Sequence, residues 1–192
     1  MAAGKGEESK KKLLKAAEKL FAEKGFQSTK VSEIVAHAGL TQAAFYLYFA
    51  SKEEILQHLL SEFEQQLGNF GDAGKKAGDF YPDRVQPYVK DQFVQLFSFL
   101  GKNPSLTKIA LHHGKHGDRI REKIVAQIAG NMKENQNKGI VKKEIDPQIA
   151  SEAIVAVTER LIDRYLWNGE KTKEELGAQA AQIFLHGILN ES

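Results

Sequence analysis

The chain has 192 residues, 42% of them hydrophobic and 27% charged, which is an ordinary composition for a globular protein. Cysteine is absent, so disulfides, thiolate metal ligands and cysteine nucleophiles are excluded. The net charge of +2 is unevenly divided, because residues 1–52 carry nine Lys and five Glu and residues 53–192 sum to −2. The start lacks the apolar segment of a signal peptide, and no run is long enough to span a membrane, so we expect a cytoplasmic protein without membrane contact.

Helix signals begin close to the start of the chain. Residues 1–8 are expected to form a frayed tail, and the apolar positions of residues 9–24 recur with the period of one helical face. Gly25 suits a left-handed cap at the end of that helix. Thr29 is the predicted N-cap of a second, short helix over residues 31–38.

A glycine-centred turn separates this second helix from a third one. Gly39 permits the turn, and Thr41 is the predicted N-cap of a helix over residues 42–48. Phe45 and Phe49, four positions apart, supply the buried side of that helix.

The remainder of the chain also has helical periodicity. Ser51 opens a fourth helix, and residues 68–79, which contain four glycines, predict a mobile connection. Later helices are predicted from Pro82 and Pro87 to Leu100, from Pro104 to about Leu111, over 118–138, from Pro147 to Trp167, and from Thr172 to Leu189. The pattern therefore predicts an all-α protein of about nine helices. It divides into a smaller three-helix domain over residues 1–51 and a larger helical domain over residues 52–192.

The second and third helices have the pattern of a helix-turn-helix, whose second helix enters the DNA major groove. In that position Gln42 can pair with adenine, Ala43 can contact a thymine methyl group, and Tyr46 lies on the same face. The alternative is three ordinary packed helices, but four aromatic residues within positions 45–49 are too many for so short a helix to bury. The predicted contacts to bases and phosphates are Thr29, Lys30, Thr41, Gln42, Ala43, Tyr46, Tyr48 and Lys52.

Three segments resemble the tetracycline-repressor (TetR) family of bacterial regulators: LLKAAEKLFAEKGF at 13–26, AGLT at 38–41 and FYLYFASKE at 45–53. The resemblance implies an all-helical homodimer, and it places the eight residues above where the family contacts DNA. It also implies a ligand-responsive, sequence-specific regulator without a cofactor. We expect a repressor that a small, largely apolar effector releases from a palindromic operator. Ala43-Ala44 and Leu47 depart from the family pattern, which leaves the base contacts open.

The larger domain holds two further sets of apolar residues. The last two helices are apolar over more than half of their surface, which predicts either a dimer interface or a deep monomeric core. The residues assigned to the interface are Ile154, Val157, Leu161, Gly177, Ala181 and Phe184. A second set predicts either an apolar effector pocket or plain core packing. The residues of this set are Tyr88, Phe93, Phe97, Leu100, Ile109 and Trp167.

His112, His113 and His116 have the residue type of metal ligands, and two His four apart on a helix can bind zinc. Neighbouring glycines interrupt the helix, and Asp118 alone adds a carboxylate, so a solvated helix end is preferred and no metal site is predicted. A metal-dependent hydrolase at this cluster is the enzyme alternative, but no catalytic set supports it and no enzymatic activity is expected. A third alternative is a protein that binds all DNA duplexes equally, with a steep salt dependence.

Overall fold

The computed structural model describes residues 2–80, 83–112 and 114–188, without the side chains of residues 2–5, 112, 114, 115, 187 and 188. All regular elements in these ranges are helical, as predicted. The chain forms two compact units, one of residues 1–65 and 105–113, the other of residues 66–104 and 114–192. The division therefore falls inside a helix rather than between residues 51 and 52.

The first unit contains the DNA-binding pattern. Its helices are α1 (Ala2–Lys24), α2 (Val31–Ala38), α3 (Gln42–Tyr46), the first part of α4 (Lys52–Gly71) and most of α7 (Pro104–His112). Helix α2 has the predicted bounds. The predicted frayed tail is wrong, because α1 already begins at Ala2, and α3 is shorter than predicted because residues 47 and 48 form a turn.

The predicted apolar stripes form the core of this unit. The buried side chains include Leu13, Ala17, Leu20 and Phe21 of α1, Ile34 and Val35 of α2, Phe45 and Phe49 around α3, and Ile55, Leu56, Leu59, Leu60 and Phe63 of α4. Burial of a side chain of this size contributes roughly 1.5–3 kcal/mol. The five-residue helix α3 therefore depends on tertiary packing, since so short a helix is unstable alone.

A tight loop joins α1 to α2. Gly25 ends α1 with a φ of 80°, as predicted. Thr29 is not the N-cap of α2, because its hydroxyl turns inward and donates to the Gly25 carbonyl oxygen at 2.9 Å. The N-cap is Lys30, whose backbone N–H donates to the Glu33 carboxylate at 3.0 Å.

The second unit contains the remaining helices. They are the end of α4, α5 (Ala73–Ala77), a 3₁₀ turn (Gly78–Phe80), α6 (Val85–Lys102), α8 (Gly114–Asn137), α9 (Pro147–Leu161), a π-helical turn (Ile162–Leu166) and α10 (Lys173–Ile188). Helix α10 packs along α6, and α9 packs along α8. Asp146 caps α9 as predicted, and Thr172 caps α10 through a reciprocal capping box with Glu175.

Residues 68–79 are not the mobile connection that their glycines predict, because they are helical and are held by amide side chains of α8. The amide donors and carbonyl acceptors are Gln127 with Gly68 (3.2 Å), Asn131 with Gly71 (2.5 Å) and Asn135 with Gly74 (2.9 Å). A Cβ on Gly71 would collide with the Gln127 side chain. Glycine in this segment therefore permits close packing rather than flexibility.

Candidate DNA interface and effector cavity

Helix α3 presents a polar and aromatic surface on one side and is fixed in the core on the other. Thr41 caps the helix as predicted, with its Oγ1 accepting from the Ala44 N–H at 3.2 Å. Before it, Gly39 adopts a φ of 67°, so the turn that aims α3 requires a left-handed residue. The exposed side chains of this segment are Thr41, Gln42, Ala43, Tyr46 and Leu47. They combine the hydrogen-bonding and apolar groups that reading base edges requires.

Two adjacent residues dominate this surface. Tyr46 is 59% exposed and Leu47 is 79% exposed, although both are large and apolar in part. The Tyr46 ring contacts the buried Phe45 ring edge-on, with ring centres 5.4 Å apart. The contacts predicted from the sequence do not include Leu47. Its position beside Tyr46, at the end of a capped helix, indicates that its side chain is exposed.

Lys30 and Tyr48 flank this surface. Lys30 is exposed at the start of α2. Tyr48 is partly exposed. Its hydroxyl lies close to α1, because a Cβ added at Gly6 would be 3.5 Å from the hydroxyl oxygen. Their predicted phosphate contacts stay predictions.

Thr29 and Lys52 are engaged inside the first unit. Thr29 is 1% exposed. The Lys52 Nζ donates to the carbonyl oxygens of Phe26 (3.0 Å), Gln27 (3.2 Å) and Thr29 (3.1 Å), and it lies 4.6 Å from the centre of the Phe26 ring. An ammonium group has three hydrogens, and three carbonyls use them. These two side chains therefore organise the loop between α1 and α2, and we leave them out of the proposed DNA contacts.

A cavity of about 180 Å³ lies within the second unit. Its walls come from the end of α4 and from α5, α6, α8, α9 and α10. Among the described residues, the lining is apolar except for Tyr88, Gln92, Asn131 and Asn135, and it includes no charged side chain. A largely apolar cavity with a few polar groups is the usual form of a small-molecule site.

Only part of the predicted pocket lines this cavity. Tyr88 and Phe93 do, and Phe93 stacks on Phe184 of α10 with ring centres 5.8 Å apart. The other four predicted residues, which do not line the cavity, are Phe97, Leu100, Ile109 and Trp167. Phe97 and Leu100 are instead buried one turn further along α6, where Phe97 stacks on Phe93 with ring centres 6.3 Å apart, and Ile109 belongs to the first unit.

The sequence interpretation missed the contribution of the glycine-rich segment to the cavity. Phe70, Ala73 and Ala77 line it, and their spacing of three and four residues is that of one helical face. Burial raises the pKa of the Tyr88 phenol above its ordinary value of 10.0, and the nearby carboxylates of Asp79 and Asp91 raise it further. Tyr88 therefore remains neutral, and the lining that the structure describes is uncharged at neutral pH.

The residues predicted for a dimer interface are largely used within the chain itself. A Cβ on Gly177 would lie 2.9 Å from the Val94 backbone nitrogen, so this glycine permits close packing of α10 on α6. Ala181 is buried as well, and Ile154 and Phe184 line the cavity. Val157 and Leu161 remain partly exposed. Among the described side chains of the last two helices, the exposed large apolar ones are Ile149 (70%) and Ile183 (58%).

The histidine cluster falls partly outside the described residues, which exclude His113 and the side chain of His112. The His116 ring lies 3.4 Å from the Arg119 guanidinium. No three His, Asp or Glu side chains meet as metal ligands within the described ranges. No helix in those ranges has the length and hydropathy to cross a membrane.

Comparisons with known proteins agree with this architecture. Residues 13–59 match the profile of bacterial regulatory proteins of the tetR family. The chain is 32% identical to the HTH-type transcriptional regulator YdgC of Bacillus subtilis over 185 residues, which cover 96% of this chain and 95% of YdgC.

Two solved structures share the fold over almost the whole chain. The repressor SmeT of Stenotrophomonas maltophilia, also solved with triclosan, matches with a TM-score of 0.71 at 19% identity, covering 95% of this chain and 91% of SmeT. FadR of Bacillus subtilis in complex with stearoyl-CoA matches with a TM-score of 0.69 at 21% identity, covering 92% and 97%. On the extended identity to YdgC and the profile match, the chain belongs to the TetR family of DNA-binding transcriptional regulators.

Proposed function

We propose that the protein is a ligand-responsive repressor that binds a palindromic operator as a homodimer. The observation that carries this proposal is the outward face of α3, where Gln42, Ala43 and Tyr46 are exposed on a helix that Phe45 and Phe49 hold in the core. Lys30, Thr41, Tyr48 and Leu47 supply the flanking contacts to phosphates and sugars. The protein acts in the cytoplasm, where the DNA is.

A dimer supplies two such faces. Two recognition helices about 34 Å apart fit successive major grooves on one side of a palindrome. The exposed Ile183 of α10 supports a second copy as the partner, since an exposed large apolar residue marks an interaction surface.

The cavity of the second unit is the proposed effector site. Its apolar lining favours a small, largely apolar molecule, and the complexes of SmeT with triclosan and of FadR with stearoyl-CoA support ligand binding in this fold. Helix α4 connects the two sites, because it is continuous from Lys52, whose ammonium holds the α1–α2 loop, to Phe70 and Gly71 in the cavity wall. An effector that binds more tightly when α4 is in one of its positions shifts the DNA-binding equilibrium. The size of the shift equals the difference in the effector's binding free energy between the two positions.

Selection of bound duplexes from a random DNA library tests this proposal. We expect an enriched palindrome, with affinity for it well above that for random DNA at the same salt concentration. Tyr46→Ala should abolish the enrichment while leaving the helical circular dichroism and thermal stability unchanged. Gln57→Ala, at an exposed position of α4 in the same unit, is the matched control and should select the same palindrome.

Equal affinity for all duplexes, with a steep salt slope, would instead indicate a protein that binds DNA without sequence preference. Unchanged operator binding by Tyr46→Ala would remove α3 from the proposed reading surface.

A further inference from the structure

A row of three amide side chains on α8 faces the glycine-rich helices of the second unit. Gln127, Asn131 and Asn135 are spaced four residues apart and therefore lie on one face of α8. Each donates through its side-chain nitrogen to a backbone carbonyl oxygen of residues 68–74. Two members of the row, Asn131 and Asn135, also line the cavity, and they are 9% and 6% exposed.

Asn135 has an unused hydrogen-bond acceptor at the cavity wall. Its Nδ2 donates to the Gly74 carbonyl oxygen at 2.9 Å, which fixes the orientation of the amide, because a flip would place two oxygens against each other. Its Oδ1 is buried and accepts no hydrogen bond from any group in the described ranges. An unsatisfied buried acceptor is costly, and buried polar groups nearly always have a partner.

The surroundings of this oxygen are close-packed. The oxygen faces Gly78, where a Cβ would lie only 2.6 Å from it, so any side chain at position 78 would cover the acceptor. The terminal methyl group of Ile140 lies 3.1 Å from the same point. Ile140 also lines the cavity, so a donor reaches the oxygen from the cavity when the end of this side chain moves aside.

The described lining also offers no partner to a charged group inside the cavity. None of the described lining side chains is charged, so a carboxylate, phosphate or ammonium group buried among them would lose its hydration without meeting an opposite charge. The apolar part of a ligand loses no favourable hydration when it enters the cavity. A neutral hydroxyl or amide N–H requires only one hydrogen-bond acceptor there.

From these observations we infer that the effector is a neutral amphiphile, whose apolar body fills the cavity and whose hydroxyl or amide N–H donates to Asn135 Oδ1. This inference rests on the proposed role of the cavity as the effector site. It separates the chain's ligand class from acyl anions and from cationic compounds.

Titration calorimetry with three probes of nearly equal length tests the inference on the full chain. Decanol carries a donor, methyl nonyl ether carries only an acceptor, and decanoate is an anion at neutral pH. We expect decanol to bind at least about fivefold more tightly than the ether, the ratio that one net hydrogen bond produces. Decanoate should bind most weakly of the three.

Two variants identify the acceptor. Asn135→Leu keeps the number and branching of the side-chain heavy atoms but removes the oxygen, so we expect the ratio of decanol to ether affinity to fall to about one. Gln127→Leu removes an equivalent amide-to-backbone bond from the same face of α8, outside the cavity lining, and should keep the ratio of the parent. Gly78→Ala should lower decanol affinity more than ether affinity, because its methyl group covers the oxygen.

The outcomes separate this inference from the proposed function. Equal binding of decanol and ether would overturn the donor but leave the cavity as an effector site. Tightest binding of decanoate would overturn the neutrality of the ligand. If none of the probes bound, including the ether that needs only apolar space, the effector site itself and the inference would both be overturned, whereas operator selection would be unaffected.

Discussion

Single side chains in the first unit act mainly by holding the backbone of its loops in place through hydrogen bonds. Lys52 is the main example, since a basic residue at the start of a helix near DNA is predicted to contact phosphate, and its ammonium instead binds three carbonyls of the α1–α2 loop. The residue type shows that the side chain is positively charged, but only the fold shows which hydrogen-bond acceptors its ammonium group binds.

Replacement of Lys52 by Met tests this structural role. We expect Lys52→Met to lower the free energy of unfolding by about 2 kcal/mol, because three backbone carbonyls, two of them in partly buried hydrogen bonds, lose a charged donor. Urea unfolding without DNA is the measurement. The control is Lys12→Met, which breaks one exposed ion pair with Glu8 and should change stability by less than about 0.5 kcal/mol. Equal stability of the two variants would return Lys52 to the predicted phosphate contacts.

Glu33 predicts a pH dependence of the same loop. The hydrogen bond from Lys24, at 2.6 Å, and then that from the Lys30 backbone N–H hold the pKa of Glu33 below its ordinary value of 4.5. A lowered folded-state pKa stabilises the fold above pH 4.5, and that stabilisation is lost as the pH falls through the lower folded value. We therefore expect Glu33→Gln to be less stable than the parent at neutral pH and to approach it as the solution is acidified.

Chemical unfolding over a pH series from neutral to below 4.5 measures this convergence. Glu144→Gln, at an exposed loop position, is the matched change and should follow the parent at every pH. A constant difference between Glu33→Gln and the parent across the series would mean that the carboxylate charge is not the stabilising group.

At the scale of whole elements, close glycine contacts decide how the helices of the second unit pack. Gly177 meets Val94 of α6, whereas a methyl group added at Gly130 in α8 would meet no described atom within 4 Å outside its own helix backbone. We expect Gly177→Ala to destabilise the protein by roughly 1–3 kcal/mol, since α10 must move away from α6. Gly130→Ala should be neutral or stabilising by up to about 1 kcal/mol, because alanine favours a helix. Thermal unfolding compares the stability of the two variants. If Gly177→Ala were as stable as the parent, close packing on α6 would not require this glycine, and its predicted place in the contact between subunits would be preferred again.

The sequence predicts elements better than it predicts their partners. Periodicity, caps and turn glycines place α2, the start of α3, the start of α9 and the cap of α10 correctly, because these signals are local. The same local signals cannot reveal that Gly71 and Gly78 pack under amides of α8, about 60 residues away. They also cannot reveal how far along α6 the cavity extends, so Tyr88 and Phe93 were assigned to its lining together with the core residues Phe97 and Leu100.

The whole molecule depends on whether two copies assemble. Ile183 is 58% exposed on α10, so replacing it removes little packing within one chain. If this face joins two copies, Ile183→Glu buries a charge without a partner and should yield a monomer by sedimentation. Operator affinity should then fall by about 10²-fold or more, because the two recognition helices no longer bind as one linked unit.

Ile183→Glu also lowers the net charge of the chain by one. A matched substitution separates the effect of this change in charge from the loss of the contact between two copies. Lys143→Gln makes the same change in charge at an exposed position between α8 and α9, and it should leave the assembly and the operator affinity unchanged. A dimeric Ile183→Glu would place the contact elsewhere, and Ile149, which is also a large apolar residue exposed on these helices, would be the next position to replace. A monomer that still bound the full palindrome with parental affinity would instead contradict the need for two linked recognition helices, because a single α3 would then supply the whole affinity.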